Sequence, residues 1–283
     1  FIQSVGFSKS DEDHCLFTKT AQDGSHVFLI IYVDGMLLSG RHTGELTELV
    51  RKLRLKFAMK DLGPARHILG MKISRNRDRR QLFLSQTDYI GRVLERVNMQ
   101  SAKSTSTPLP INLRLSQRDC PTSGPEGDMK SVPYAPAVGS LMYAMVVTQP
   151  DISHAVGVVN RFMHNTGRSH WNAIKHVFRY PAGTKDHDIL FGPNLTSGVV
   201  GYTDSDFAGC VDSRKSTTEY CFKFGNGAIS WKSKLQECTT NSTTEAEYVA
   251  ASDAAKAALS LGQLAHTFRQ VDSESALVVY SDS

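Results

Sequence analysis

Cross-links, membrane spans and repeats are all scarce in this chain, and each shortage narrows what it can be. There are only five cysteines in 283 residues, Cys15, Cys120, Cys210, Cys221 and Cys238. They are odd in number, widely spaced and form no C-x-x-C pair, which argues against a disulfide framework and against a structural zinc site. An intracellular setting, cytoplasm or nucleus, is the expectation that follows. Long hydrophobic runs are also missing. The longest, Val27 to Val33, falls far short of the roughly 20 apolar residues that cross a bilayer, so no membrane partner is expected. Phe1-Ile2-Gln3-Ser4 carries neither a basic n-region nor an apolar h-region, so no secretory signal opens the chain as given. The lack of an initiator Met is expected of an internal piece of a longer protein. No internal repeat is visible.

What is present is ordinary globular composition, 40% hydrophobic and 21% charged, on a chain long enough for two domains or one large one. The net charge of +4 is small but uneven. Arg51, Lys52, Arg54, Lys56, Arg75, Arg77, Arg79 and Arg80, with Lys60, Arg66 and Lys72 between them, meet only Asp61 and Asp78. Such a stretch is the electrostatic footprint of phosphate-backbone binding. A solvated helix face is the plainer account of the same residues.

Periodicity predicts a mixed α/β (α+β) chain. Residues 26–40 read HVFLIIYVDGMLLSG, two apolar runs joined by Asp34-Gly35. That pair is the strongest short-range hairpin signal, because Gly takes a positive φ freely. A strand over 13–17 precedes it. Leu46, Leu49, Val50, Leu53 and Phe57 recur at helical spacing over 43–57. Strands are expected over 68–74 and 81–85, joined by the basic turn 75–80, and a helix over 88–97. Residues 101–133 are rich in Ser, Thr, Pro and Gly and read as a linker. Helices over 137–148, 151–164 and 171–179 follow, with Pro181 expected to end or bend the third because it lacks an amide donor. Strands over 198–203, 218–224 and 228–232, a helix over 243–270 and a strand over 276–280 complete the chain. The helix should bury Ala246, Val249, Ala257, Leu261, Leu264 and Phe268.

Three acidic residues sit where strand and helix ends converge: Asp204, Glu245 in the first turn of the long helix, and Asp282. Each has a plain explanation as a turn residue, a helix N-terminus favoured by the macrodipole or a solvated end. Together they have a chemistry. Clustered carboxylates raise one another's pKa unless a cation compensates, and hard oxygen ligands suit Mg²⁺. Two such ions about 4 Å apart activate water and stabilise the leaving oxygen in phosphodiester hydrolysis.

Longer motifs carry a resemblance. Gly201-Tyr202-Thr203-Asp204-Ser205-Asp206-Phe207-Ala208-Gly209, Arg214-Lys215-Ser216-Thr217, Ile229-Ser230-Trp231-Lys232-Ser233-Lys234-Leu235-Gln236 and Ser242-Thr243-Thr244-Glu245-Ala246-Glu247-Tyr248 resemble, in order, the ribonuclease H module of copia-type retrotransposon Pol polyproteins. Lys60-Asp61-Leu62-Gly63, Leu69-Gly70-Met71, Leu84-Ser85-Gln86 and Ser106-Thr107-Pro108-Leu109 resemble the end of that family's reverse transcriptase. Val138-Gly139-Ser140-Leu141-Met142-Tyr143 and Pro150-Asp151-Ile152 resemble its connecting region. The match covers essentially the whole chain and is closest to plant-type elements.

The resemblance implies the C-terminal part of a reverse transcriptase, with palm hairpin and thumb, over 1–110. A linker and helical connection would occupy 111–195, and a truncated ribonuclease H-like mixed sheet with helices 196–283. Tyr32-Val33-Asp34-Gly35 resembles the family's Tyr-Val-Asp-Asp turn with its second aspartate replaced. Asp34 would then be a lone catalytic metal ligand, Gly35 would keep the hairpin folded, and a third aspartate would precede Phe1, so polymerase activity is expected to be lost. Asp204, Glu245 and Asp282 correspond to the first three carboxylates of the ribonuclease H metal site, while Asp206 and Glu247 are expected to point elsewhere. The fourth carboxylate falls beyond position 283, which implies an incomplete two-metal Mg²⁺ site with residual hydrolysis of the RNA strand of RNA·DNA hybrids. Implied partners are such a hybrid or other nucleic acid, and other Pol or Gag products of the element. Pro181 and Glu219 depart from the pattern, which has an apolar helix residue and Gly there. Two other readings stand beside this one: a non-catalytic nucleic-acid-binding remnant relying on the 51–80 stretch, and a secreted effector, because Arg51-Lys52-Leu53-Arg54 matches an R-x-L-R translocation motif that a basic amphipathic helix easily meets by chance.

Overall fold

The computed structural model describes residues 1–122, 129, 131–193, 198–268 and 277–282. The chain is mixed α/β, as its periodicity predicts, and divides into two compact units. One comprises Phe1–Arg66 with the last turns of the final helix from Ser260, and the other runs from His67 to Leu259 with the C-terminal strand. This division is drawn after Arg66 rather than at the 110 and 195 boundaries that the motifs suggest. Among the described residues no helix is long and apolar enough to cross a membrane.

In the first unit, β1 (Ser8–Lys9), β2 (Leu16–Thr20), β3 (His26–Tyr32) and β4 (Gly35–Ser39) form an antiparallel sheet in chain order, followed by helix α1 (Thr43–Lys56). Strand alternation turns Val27 and Leu29 to one face, where they join Phe7 and Leu49 of α1 in a closed core. The hairpin differs from the expected one. Tyr32 pairs with Gly35, so Val33 and Asp34 form the turn, with Val33 at φ 53°. Gly35 is not left-handed, and a Cβ there would meet only the Tyr32 carbonyl oxygen, at 3.5 Å. The register set by Leu29 against Leu38 and Ile31 against Met36 outweighs the preference of Asp-Gly for the turn, because it places both leucines beside the core.

In the second unit β5 (His67–Ile68), β6 (Met71–Asn76) and β7 (Gln81–Ser85) lead to α2 (Thr87–Arg96), and then to α3 (Tyr134–Val147), α4 (Ser153–Asn160) and α5 (Arg168–Thr184). The helices bury one core around Ile90, Val138, Ile152, Ile174 and Phe178. Part of the expected linker, 123–128 and 130, lies outside the described residues. Pro181 does not end α5, which runs on to Thr184. Its ring is buried and lines a small cavity with Ile90, Leu141 and Phe178, so packing holds the helix through the missing donor. Strand β8 (Ile189–Phe191) returns to complete the antiparallel sheet β5-β6-β7-β8.

The remaining sheet is mixed. β9 (Val199–Ser205), β10 (Thr217–Phe224) and β11 (Gly227–Leu235) are antiparallel, whereas β12 (Val278–Tyr280), reached after helix α6 (Thr243–Thr267), lies parallel to β9, giving the order β11-β10-β9-β12. Gly201 is required where it stands, because a Cβ there would lie 2.4 Å from the ring of Phe222, its register partner. Of the expected face Ala246 is buried, while Val249, Ala257, Leu261, Leu264 and Phe268 are half-buried, and the buried row of α6 is Ala246, Ala250, Ala254 and Ala258, at every fourth residue. Small side chains there permit a close approach. Bonds from Lys232 to Asp253 and from Gln236 to the Ala246 carbonyl tie the helix to β11 and the loop after it. The expected helix residues 269–270 and strand residue 276 lie outside the described residues.

Candidate metal centre

The parallel pairing of β9 and β12 builds the site. Tyr280 lies opposite Tyr202, so two residues further along each strand Asp282 arrives beside Asp204. α6 supplies the third carboxylate from Glu247. Its Oε1 accepts the backbone N–H of Ser205 at 3.1 Å. One ligand oxygen from each of Asp204, Glu247 and Asp282 lies within 4.8 Å of the others, and among the described residues this is the one such group that could hold a metal ion. Glu247 Oε2 is buried with no hydrogen-bond partner. Burial, then the charge of Asp204 and to a lesser degree that of Asp282, pushes the Glu247 carboxyl above its usual value, while the Ser205 N–H works against them. A cation between the three would remove the repulsion and satisfy the orphaned oxygen. The donors are all hard oxygens, without nitrogen or sulfur, so the residues present fit a hard divalent cation.

The sequence points to Glu245, whereas the carboxylate that lies with those of Asp204 and Asp282 is that of Glu247. Glu245 Oε2 accepts the backbone N–H of Asn241 at 2.7 Å, and its own N–H donates to Ser242 Oγ at 3.1 Å. Glu245 therefore secures the start of α6. The Ser242-Thr243-Thr244-Glu245 run is a capping-box pattern, and that signal could have separated the two glutamates. Asp206 does point elsewhere: it accepts the backbone N–H of Thr217, and its carboxylate fills the space that a Cβ on Gly209 would need. Asp34 is exposed at the β3–β4 turn and belongs to no carboxylate cluster among the described residues.

The cations of the 51–80 stretch are exposed but divided. Arg51, Lys52, Arg54 and Lys56 lie on α1 in the first unit, and Arg75, Arg77, Arg79 and Arg80 at the β6–β7 hairpin in the second. Arg51 donates twice to Glu48, at 2.8 Å each, and Lys52 lies 3.9 Å from the same carboxylate. Within Arg51-Lys52-Leu53-Arg54, Leu53 is only 3% exposed. The motif's leucine is thus an inward-facing helix residue, and packing of α1 accounts for it.

Comparison with known proteins fixes the family. Residues 1–111 match the family described as reverse transcriptase (RNA-dependent DNA polymerase). The chain is 49% identical over 284 residues to the retrovirus-related Pol polyprotein from transposon TNT 1-94 of Nicotiana tabacum, an alignment that takes in 100% of this chain and 21% of that one. Against the retrovirus-related Pol polyprotein from transposon RE2 of Arabidopsis thaliana it is 36% identical over 248 residues, 88% of this chain and 16% of the relative. The chain belongs to the copia-type retrotransposon Pol polyproteins. It spans about a fifth or less of the length of these two Pol relatives. A shorter stretch, 46% of the chain, is 47% identical over 131 residues to the secreted RxLR effector protein 161 of Plasmopara viticola, of which it covers 92%. No solved structure matches.

In this Pol chain one further acidic residue stands beside the centre. Glu219 on β10 lies directly opposite Asp204 on β9. Its Oε1 accepts from Ser233 Oγ at 2.7 Å, and the imidazole Nδ1 of His154 lies 3.3 Å from the same atom. The bond to His154, helped by Ser233, holds the Glu219 carboxyl below its usual value against the opposing effect of burial. Both residues line a groove of about 310 Å³ whose lining also includes Asp204. The sequence marks Glu219 only as a departure from the family pattern, and nothing in it signals the pairing with a histidine 65 positions earlier.

Proposed function

We propose that the Asp204–Glu247–Asp282 centre binds Mg²⁺ and serves a ribonuclease H-like module over 196–283, which hydrolyses the RNA strand of RNA·DNA hybrids. Residues 1–110 would then be the C-terminal part of a reverse transcriptase, with palm hairpin and thumb, and 111–195 the connection between them. The observation that carries this reading is the meeting of three carboxylates, one of which, that of Glu247, also keeps a buried oxygen, Oε2, with no hydrogen-bond partner. When bound, Mg²⁺ supplies a Lewis acid that lowers the pKa of water and balances charge on the leaving oxygen. The chain's own residues do the rest. Ser205 N–H fixes Glu247 Oε1, so only Oε2 needs a partner. The parallel strands hold Asp204 and Asp282 side by side, and Glu245, committed to the helix start, stays out of the centre.

The same reading gives no template-directed DNA synthesis by this chain, because the β3–β4 turn presents Asp34 with Gly35 beside it and one carboxylate cannot position two ions. Primer extension by the purified chain would overturn that part. For the hydrolytic part, a hybrid carrying a labelled RNA strand is incubated with the chain and Mg²⁺. Cleavage that disappears in Asp204→Asn and in Glu247→Gln, and persists in Glu245→Gln, supports the reading. Equal cleavage by all four proteins assigns the activity to a contaminant and contradicts it.

A second reading rests on the exposed arginines crowded at the β6–β7 hairpin, Arg75, Arg77, Arg79 and Arg80. Here the chain binds nucleic acid without cutting it. Binding that falls steeply with salt while the RNA strand stays intact in Mg²⁺ would favour this alternative.

A further inference from the structure

We infer that the groove beside Asp204 is a binding site for a single unstacked nucleobase bearing an exocyclic amine, its ring against Trp231 and Tyr202 and its amine donating to Glu219 Oε2. The groove is built by strand register. Glu219 pairs with Asp204 and with Ser233, and Cys221 pairs with Tyr202 and with Trp231. Directly opposed residues on neighbouring strands project to the same face, so these side chains form one continuous floor. His154, beside Pro150 and Asp151, supplies the facing wall.

The floor is pre-organised. The Trp231 indole N–H donates to the Met145 carbonyl at 2.8 Å, which fixes the ring plane. The donors on Glu219, Ser233 Oγ and His154 Nδ1, both meet Oε1, so Oε2 is the acceptor left to a ligand. A volume of about 310 Å³ is of the size that takes one small ring system, and aromatic walls are the usual platform for a splayed-out base. Charge selects the part of the nucleotide that enters. Asp151, Asp204 and Glu219 outnumber Lys232 on its lining, and the Lys232 ammonium is already engaged by Asp253 at 2.9 Å, so the groove repels phosphate and accepts a neutral ring that can donate. Carboxylates accept from the N4 amine of cytosine, whereas uracil presents an acceptor at that position.

The inference goes beyond the metal reading and needs no ion. It is tested by titrating the intact chain with cytidine and with uridine in the presence of a chelator, following tryptophan fluorescence, to which Trp171 adds a constant background. Saturable quenching by cytidine, with uridine at least about tenfold weaker, is expected from one hydrogen bond to a charged acceptor. Glu219→Gln, whose amide can donate, should reverse the preference. Equal quenching by the two nucleosides, no saturable quenching by either, or an unchanged preference in a folded Glu219→Gln protein each overturns the inference. Because no Mg²⁺ is present, failure here leaves the hydrolytic reading standing, and failure of RNA cleavage leaves this one standing.

Discussion

At the residue scale, Glu247 is the group on which the account turns, and its burial makes a pH signature. Its carboxyl is raised above the usual value of 4.5 by burial and by Asp204 and Asp282. The folded state therefore holds the proton more tightly than the unfolded state does. In chelator, this group's contribution to stability should fall as pH rises from the usual value through the raised one, since the native form binds more protons in that window. Thermal melts between pH 4 and pH 7 in chelator should show that slope in the wild type and lose it in Glu247→Gln, with the variant melting higher at neutral pH. Glu219 has the opposite sign: its carboxyl is lowered, first by His154, so its contribution is present above 4.5 and is lost as pH falls through the depressed value. Glu245→Gln should cost only about 0.5–1 kcal/mol through a weaker helix start. Spacing alone does not choose between Glu245 and Glu247, which only the capping-box pattern separates, because they flank buried Ala246 symmetrically, about 100° to either side of the helix face. Periodicity finds that face and cannot say which flank meets the strand ends.

At the element scale, the helices and strands were largely readable from spacing, and the differences arise where packing overrules local preference. The β3–β4 hairpin was evident, but its turn moved to Val33-Asp34, with a β-branched residue at φ 53°. Such a backbone costs about 1–2 kcal/mol, so Val33→Gly should raise stability by about 1 kcal/mol in denaturant melts. Gly35→Asp should leave the melting curve almost unchanged, because the position is not left-handed and its Cβ would meet only an ordinary contact at 3.5 Å. A large loss in Gly35→Asp would contradict this turn geometry. In α5 the proline was visible in the sequence, whereas the burial that lets the helix continue depends on α2 and α3, which spacing alone does not bring together. Gly183, two residues on, approaches Ser104, and a Cβ there would lie 2.7 Å from the Ser104 Cβ. Gly183→Ala should therefore destabilise by about 1–3 kcal/mol, measured by urea unfolding.

At the scale of the whole molecule, family membership was the most legible property, since ordered motifs along the chain mark it and the Pol relatives agree. The compact units were less legible. Motif boundaries follow the order of matched segments, whereas compactness follows pairings distant in sequence, such as β7 with β8 and β9 with β12. The acidic centre belongs to this class: Asp204 and Asp282 are 78 positions apart and meet because a parallel strand returns beside β9. The most direct test of the account is calorimetric titration with Mg²⁺ of the intact chain, Glu247→Gln and Glu245→Gln. The account predicts saturable uptake by the wild type and Glu245→Gln, and affinity at least about tenfold lower in Glu247→Gln. Binding that survives in Glu247→Gln and disappears in Glu245→Gln would contradict it.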